Sequence, residues 1–365
     1  MVGGMPKLTS ELSTQDGPLR IVSIGGGTGL SALLRGLKAY THALRENQSP
    51  GRGPDSHSED VVDITAVVTV TDDGGSSGRL RRELQVPPPG DIRNCLVALS
   101  EDEYLLSQLF QHRFDAGEGL KGHSFGNLFL TALNQITGDF TQAVKVCSEV
   151  LAIAGRIYPS TAANVHLEAD LADGTVASGE TTISASLSPI QRLRILPSPC
   201  EPLPETLEAI ARADLITLGP GSLYTSVIPN LLVRGIPEAI AASPAQKVYV
   251  SNLMWQPGET SQYAASDHVR AIHNHAGKNV VDTALLNTGL IRDDLLSSYL
   301  EKDAEPVEQD RQVLEEMGLR VVAADLLGGN EKIRHEPNLL AAALVALARE
   351  SRAATRRASP ALTHE

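Results

Sequence analysis

Five short stretches of this chain hold residue types able to do chemistry, at spacings that suit a phosphorylated ligand. The first is Gly25-Gly26-Gly27-Thr28-Gly29-Leu30-Ser31-Ala32, which fits G-x-G-x-x-A from Gly27 to Ala32. Glycines let a phosphate approach the backbone closely, and a helix starting there aims its free N–H groups at the anion. The same residues would also serve a tight strand-to-helix turn with no ligand. The second runs from Thr71 to Gly78, with Asp72 and Asp73 leading into Gly-Gly-Ser-Ser-Gly, Ser76 among its hydroxyls, and Arg79, Arg81 and Arg82 beyond. Its carboxylates could hold Mg²⁺, hydrogen-bond a ribose or substrate hydroxyl, or act as a general base. An Asx turn with solvated charges is the plain alternative. The third, Gly122-His123-Ser124-Phe125-Gly126-Asn127, precedes an apolar helix. It offers His123, Asn127 and helix amides to an anion, or only a cap and a packed histidine. The fourth, Gly219-Pro220-Gly221-Ser222-Leu223-Tyr224-Thr225-Ser226, supplies backbone N–H groups, the hydroxyls of Ser222 and Thr225, and a ring at Tyr224 for stacking a base. The fifth follows Pro87-Pro88-Pro89-Gly90, where Asp91 is well placed to cap a helix and Arg93 and Asn94 could meet a phosphate.

Strands and helices must bring these loops together. Leu19 to Ile24 is a β-branched run ending in the first glycine loop, and leucines at helical spacing follow it through Leu37. Asp63 to Val70 reads as a second strand, ending in the Asp72-Asp73 loop. Together they predict a right-handed βαβ unit whose two loops open on the carboxyl edge of a parallel sheet. The middle of the chain predicts helices over Tyr104–Phe114 and from Asn127 to about Ile153. Val165 to Ser186 alternates around an Asp173-Gly174 turn, and Arg192–Leu196 reads as another strand, predicting a small antiparallel excursion over 165–196. The α/β rhythm then resumes: helix Glu205–Arg212, strand Asp214–Leu218, the fourth loop, strand Lys247–Leu253, helix Ala265–His275 and strand Val280–Asn287. A strand near Val321–Leu326 and a helix from Pro337 to Glu350 close the pattern.

The predicted fold is thus α/β, a Rossmann-like and mostly parallel sheet with helices on both faces, carrying the antiparallel excursion and a helical insertion. One domain is expected over 19–350, with a disordered leader at 1–18, a polar surface insertion at 46–60 and a flexible tail at 351–365. Two glycine-rich anion sites on one sheet edge suit a ligand with a diphosphate.

Composition sets further bounds. The 365 residues, 42% hydrophobic, suffice for a substantial core, and no apolar run reaches the roughly 18–20 residues of a membrane span. Lys and Arg number 31 against 44 Asp and Glu, a formal charge of −13, which repels nucleic acid and acidic lipid. Neither nucleic acid nor membrane is an expected partner. Cys95, Cys147 and Cys200 are odd in number and lack metal-ligand spacing, which fits a reduced, cytoplasmic compartment. His273 and His275, two apart on a helical pattern, face different directions and make no metal pair. No nucleophile-elbow G-x-S-x-G stands out.

Read together, Ile24–Ser31, Thr69–Leu80, Pro87–Asn94, Gly122–Asn127 and Gly219–Ser226 closely resemble the YvcK family, a gluconeogenesis factor group within the CofD-like superfamily. The match runs in order from about Arg20 to His335. The resemblance implies a cytoplasmic bacterial protein that binds UDP-N-acetylglucosamine, supports cell shape and envelope-precursor supply during growth on gluconeogenic carbon sources, and acts by regulation. It implies a regulated enzyme of envelope-precursor synthesis as partner, and a homodimer. The more distant 2-phospho-L-lactate transferase suggests the alternative, a Mg²⁺-dependent transferase of a phosphorus-containing group. In the binding reading, Gly26, Gly27, Thr28 and Gly29, with Gly219, Gly221, Ser222 and Thr225, surround the diphosphate. Asp72 and Asp73 then take sugar or ribose hydroxyls, oriented by Asn127. In the transferase reading, Asp72 and Asp73 hold Mg²⁺ or deprotonate an acceptor. NAD is a third ligand suggested by the first loop alone, although no hydride-transfer acid/base partner accompanies it.

Overall fold

The computed structural model describes residues 17–41, 61–101, 105–328 and 332–358. Most of the expected leader, the 46–60 insertion and the last residues of the expected tail lie outside the described residues.

Near-continuous apolar runs form β1 (Leu19–Gly25) and β2 (Val62–Val68), as strands covered on both faces require. Between them lies α1 (Gly27–Lys38), whose buried leucines Leu30, Leu33, Leu34 and Leu37 sit at helical spacing. After β2 come α2 (Gly75–Leu84), α3 (Gly90–Leu99), α4 (Leu105–Gln111), α5 (Phe125–Thr137) and α6 (Phe140–Val150). The edge strand β3 (Arg156–Pro159) follows. Next is the excursion, β4 (His166–Leu171), β5 (Val176–Ser178), α7 (Glu180–Ser184) and β6 (Ile190–Leu196). The chain then returns through α8 (Pro204–Arg212), β7 (Leu215–Leu218), a π-helical turn at Leu223–Val227, α9 (Ile228–Leu231), α10 (Ile236–Ala242) and β8 (Gln246–Val250). It ends with α11 (Ala265–Ala276), β9 (Thr283–Asn287), α12 (Asp293–Leu300), α13 (Arg311–Glu316), β10 (Arg320–Ala324) and α14 (Pro337–Ala358).

The main sheet has seven strands in the order β10-β9-β8-β7-β1-β2-β3, every pair parallel. A separate antiparallel sheet, β5-β4-β6, is the predicted excursion, and Asp173 builds its turn by accepting from the Thr175 N–H and hydroxyl. Right-handed crossovers place helices on both faces of the main sheet. Apolar side chains fill its centre: Ile21, Ile24, Ile64, Val67, Ile216 and Val248 are all fully buried. Cys95, Cys147 and Cys200 are buried free thiols.

Four local departures from the sequence reading have physical causes. The helix expected from Asn127 to Ile153 is two helices, because Gly138 turns left-handed and Asp139 caps the next by accepting from the Gln142 N–H. α2 begins inside the expected loop, so Ser76 to Gly78 are helical. Within the excursion, Glu180–Ser184 is helix where alternation suggested strand. The final helix continues through the expected tail to Ala358, held where Arg352 pairs with Asp214 and donates to the Pro18 carbonyl.

Candidate functional site

Strand order reverses between β1 and β7, and the loops after these two strands leave the carboxyl edge side by side. They touch backbone to backbone. A Cβ on Gly29 would stand 2.6 Å from the Pro220 carbonyl oxygen, so only glycine permits the approach. A Cβ on Gly26 would stand 2.6 Å from Asp91 Oδ2 and 2.7 Å from the Thr69 methyl. Helix α1 opens at Gly27 with no side-chain cap and no acidic residue in its first turn. The Gly27 N–H is held by Asp91, and the Thr28 and Gly29 amides that follow face an anion site.

The cradle forms one side of a cavity of about 290 Å³. Gly26 to Gly29 meet Gly221, Ser222 and Ser226 there. The chain beyond β8 supplies the next wall, from Asn252 to Gln256, and Tyr299 and Ile333 to His335 complete it. The amide side chains are linked: Asn252 Nδ2 donates to Gln256 Oε1 at 3.2 Å, and Gln256 Nε2 donates to Ser222 Oγ at 2.6 Å. Trp255 is anchored by its indole N–H on the Tyr263 carbonyl at 3.1 Å. Burial lowers the His335 pKa to about 4, leaving the ring neutral at pH 7, so positive charge at this wall comes from the exposed Arg334.

A carboxylate cluster adjoins the cradle on the β2 side. Asp91, in the first turn of α3, takes a hydrogen bond from the Gly27 backbone. Burial first, then the charge of Asp72, push its carboxyl up to about 6. Asp72 is fixed by the Gly74 N–H at 2.8 Å, and its other oxygen lies where a Cβ on Gly90 would be 2.7 Å away. Glu180 faces the same group. Burial, followed by Asp72, Asp91, Glu259 and Asp73, raises its carboxyl to about 9. Asp73 points elsewhere, accepting the Thr181 N–H at 2.9 Å and its hydroxyl at 2.6 Å. The other end of α7 is tied as well, by Ser184 Oγ donating to Glu259 at 3.0 Å. Among the described residues, no group of three or more His, Cys, Asp or Glu side chains is arranged to hold a metal ion. Mg²⁺ commonly needs only one or two carboxylates beside substrate phosphates, and the pair Asp72 and Asp91 fits that pattern better than Asp72 and Asp73.

The expected site residues therefore divide. Gly26, Gly27, Thr28, Gly29, Gly221 and Ser222 line the cavity. Gly219 stands behind it, donating its N–H to the Ile24 carbonyl. Ser76, Asn94, His123 and Asn127 form a polar network beside the carboxylates. Ser76 Oγ meets His123 Nδ1 at 2.9 Å, Asn127 donates to Ser77 Oγ at 3.3 Å, and Arg93 donates to Asn94 and Ser124, both at 2.6 Å. Tyr224 and Thr225 turn away. Tyr224 is 2% exposed, with its hydroxyl 2.8 Å from that of Tyr263, so it offers no face for a base. Thr225 donates to the buried Glu259 at 3.1 Å. Helix α3 is capped at Pro89, and Asp91, expected as the cap, is instead spent on the glycine loop. Sequence reading missed Glu180, Trp255, Gln256 and Arg334. The stretch after β8 leaves the same sheet edge, and that position was the one available signal for Trp255 and Gln256.

Comparison with known proteins shows the family and the fold. The profile of the family described as 2-phospho-L-lactate transferase CofD matches residues 21–327. The gluconeogenesis factor of Bacillus subtilis is 49% identical over 332 residues, covering 91% of this chain and 98% of that protein. That of Halalkalibacterium halodurans is 47% identical, covering 89% and 95%. A crystal structure of a Bacillus halodurans protein superimposes with a TM-score of 0.83 at 46% identity, over 90% of this chain and all of that one. Among the described residues, no helix is long and apolar enough to cross a membrane.

Proposed function

Because the chain belongs to the CofD family and, within it, to the gluconeogenesis factor group, we propose that it is a nucleotide-sugar-binding regulator whose ligand is UDP-N-acetylglucosamine. The observation that carries the reading is the glycine-rich start of α1, with its Thr28 and Gly29 amides, packed against the Pro220–Gly221 backbone at the mouth of the cavity. Such convergent N–H groups suit a diphosphate. The apolar wall with Trp255 suits a base, and the Asp72 and Asp91 side suits sugar hydroxyls. NAD fits less well, since Asp73, at the end of the second strand's loop, is committed to Thr181.

In this reading, occupancy reports the supply of envelope precursors. A difference between empty and filled states then changes the affinity of the protein for a cytoplasmic enzyme of precursor synthesis, which supports cell shape on gluconeogenic carbon sources. The functional unit is a homodimer.

A second reading, a transferase of a phosphorus-containing group, draws on the carboxylates. Asp72 and Asp91 would hold Mg²⁺ against the bound phosphates, where the ion neutralises charge developing on the transferred group. The test is calorimetry with UDP-N-acetylglucosamine, UDP-glucose, NAD and GTP, each with and without Mg²⁺, followed by analysis of the recovered ligand. Selective binding of intact UDP-sugar supports the regulator. Mg²⁺-dependent consumption of a guanylated donor replaces it with the transferase.

A further inference from the structure

We propose that Asn252 and Gln256 read the edge of the nucleotide base and restrict the site to uracil; this rests on the nucleotide-sugar reading above. The cradle fixes the diphosphate between α1 and Ser222, leaving two directions for the rest of the ligand. Toward β2 lie Asp72, Asp91 and Glu180, poor company for a planar base and good partners for hydroxyls. Toward β8 the cavity is walled by Leu253, Met254 and Trp255, and none of its described lining is Asp or Glu.

Hydrogen-bond accounting along that wall specifies the base. Gln256 uses one lone pair of its carbonyl on Asn252 and one amide hydrogen on Ser222. Asn252 uses one amide hydrogen on Gln256. What remains along the wall, in the order the bonded amides set, is the second amide hydrogen of Asn252, the second lone pair of the Gln256 carbonyl and the second amide hydrogen of Gln256, with the Asn252 carbonyl outside this run. That set is donor, acceptor, donor. The edge of uracil is O2, N3–H, O4, which is acceptor, donor, acceptor, its complement. Guanine presents one acceptor and two adjacent donors, which need a carboxylate or paired carbonyls that this wall lacks. The chain of amides ends on Ser222, so base identity and diphosphate placement are linked through one hydroxyl.

Titration of wild type, Gln256→Glu and Asn252→Leu with UDP-N-acetylglucosamine and with GDP-mannose tests this. A glutamate at 256 still accepts from Asn252 and Ser222, so the wall keeps its shape, and thermal melting checks that it does. Wild type should prefer the uridine ligand at least tenfold, and Gln256→Glu should shrink that preference about tenfold or more, by accepting from guanine and repelling O4. Asn252→Leu should weaken the uridine ligand about tenfold with little change for the guanosine one. Unchanged preference in both folded variants overturns the assignment while leaving the nucleotide-sugar reading intact. Failure of wild type to bind any nucleotide sugar overturns both.

Discussion

The carboxylate of Asp91 takes its hydrogen bond from Gly27, the residue at which α1 opens. A group from the start of one helix thus sits at the amino end of another, beside the amides best suited to a diphosphate. Ligand charge and the charge of Asp91 must therefore compete for the same field.

Binding should consequently take up a proton. Asp91 already titrates at about 6, and added phosphate charge moves it further up. Affinity for UDP-N-acetylglucosamine should rise several-fold as pH falls from about 8 to about 5.5, and Asp91→Asn should bind more tightly at pH 8 with a flatter profile. Calorimetry in buffers of different ionisation heat measures the uptake directly. Zero uptake near neutral pH would take the diphosphate away from Asp91.

Glu180 predicts a stability effect of defined sign. Its folded-state value of about 9 lies above the ordinary 4.5, so the folded state binds its proton more tightly than the unfolded chain does. The stabilisation is complete below about pH 4.5 and is lost as pH rises through about 9. Glu180→Gln should be nearly neutral at pH 5 and should stabilise the protein at pH 9, by on the order of 1 kcal/mol or more. Thermal melts across this range would count against the assignment if the variant and wild type shifted in parallel.

Gly29→Ala should separate the two cradle loops. Its Cβ meets backbone at 2.6 Å, which no side-chain rotation relieves. A cost of about 1–3 kcal/mol and at least a tenfold loss of nucleotide-sugar affinity are expected. Gly27→Val, at φ +64°, should also lose affinity and cost about 1–2 kcal/mol of backbone strain. Unaltered binding in both would move the ligand off the glycine loop.

Trp255 is the single tryptophan of the chain and lines the cavity, so its emission reports on that wall alone. Titration with UDP-N-acetylglucosamine should change intrinsic fluorescence saturably, with the same midpoint as calorimetry. Heat without an optical change would place the ligand elsewhere.

Much of this was legible in the residues. Apolar runs ending in glycine marked β1 and β7, one ending in the Asp72-Asp73 loop marked β2, and switch-point logic put the first and fourth loops on one sheet edge. Short elements were not legible. β3 is four residues ending in proline, and α12 buries no side chain, so neither leaves a strong period. Side-chain direction was hidden too. Tyr224 and Thr225 sit on a π-helical turn, which rotates them toward Tyr263 and Glu259, and their letters do not reveal that rotation. Asp91 fitted a cap by sequence position, yet its use depends on a loop 64 residues earlier.

The five residues of α7 are too few to be helical on their own. They persist because one end is clasped by Asp73, from the loop after β2, and the other by Glu259, from the loop after β8. The turn works like a turnbuckle between those two loops: any separation of them slackens it. Backbone amide exchange at Ile183 and Ala185, which bond to Gly179 and Thr181, is accordingly a built-in gauge of how far the two loops have parted.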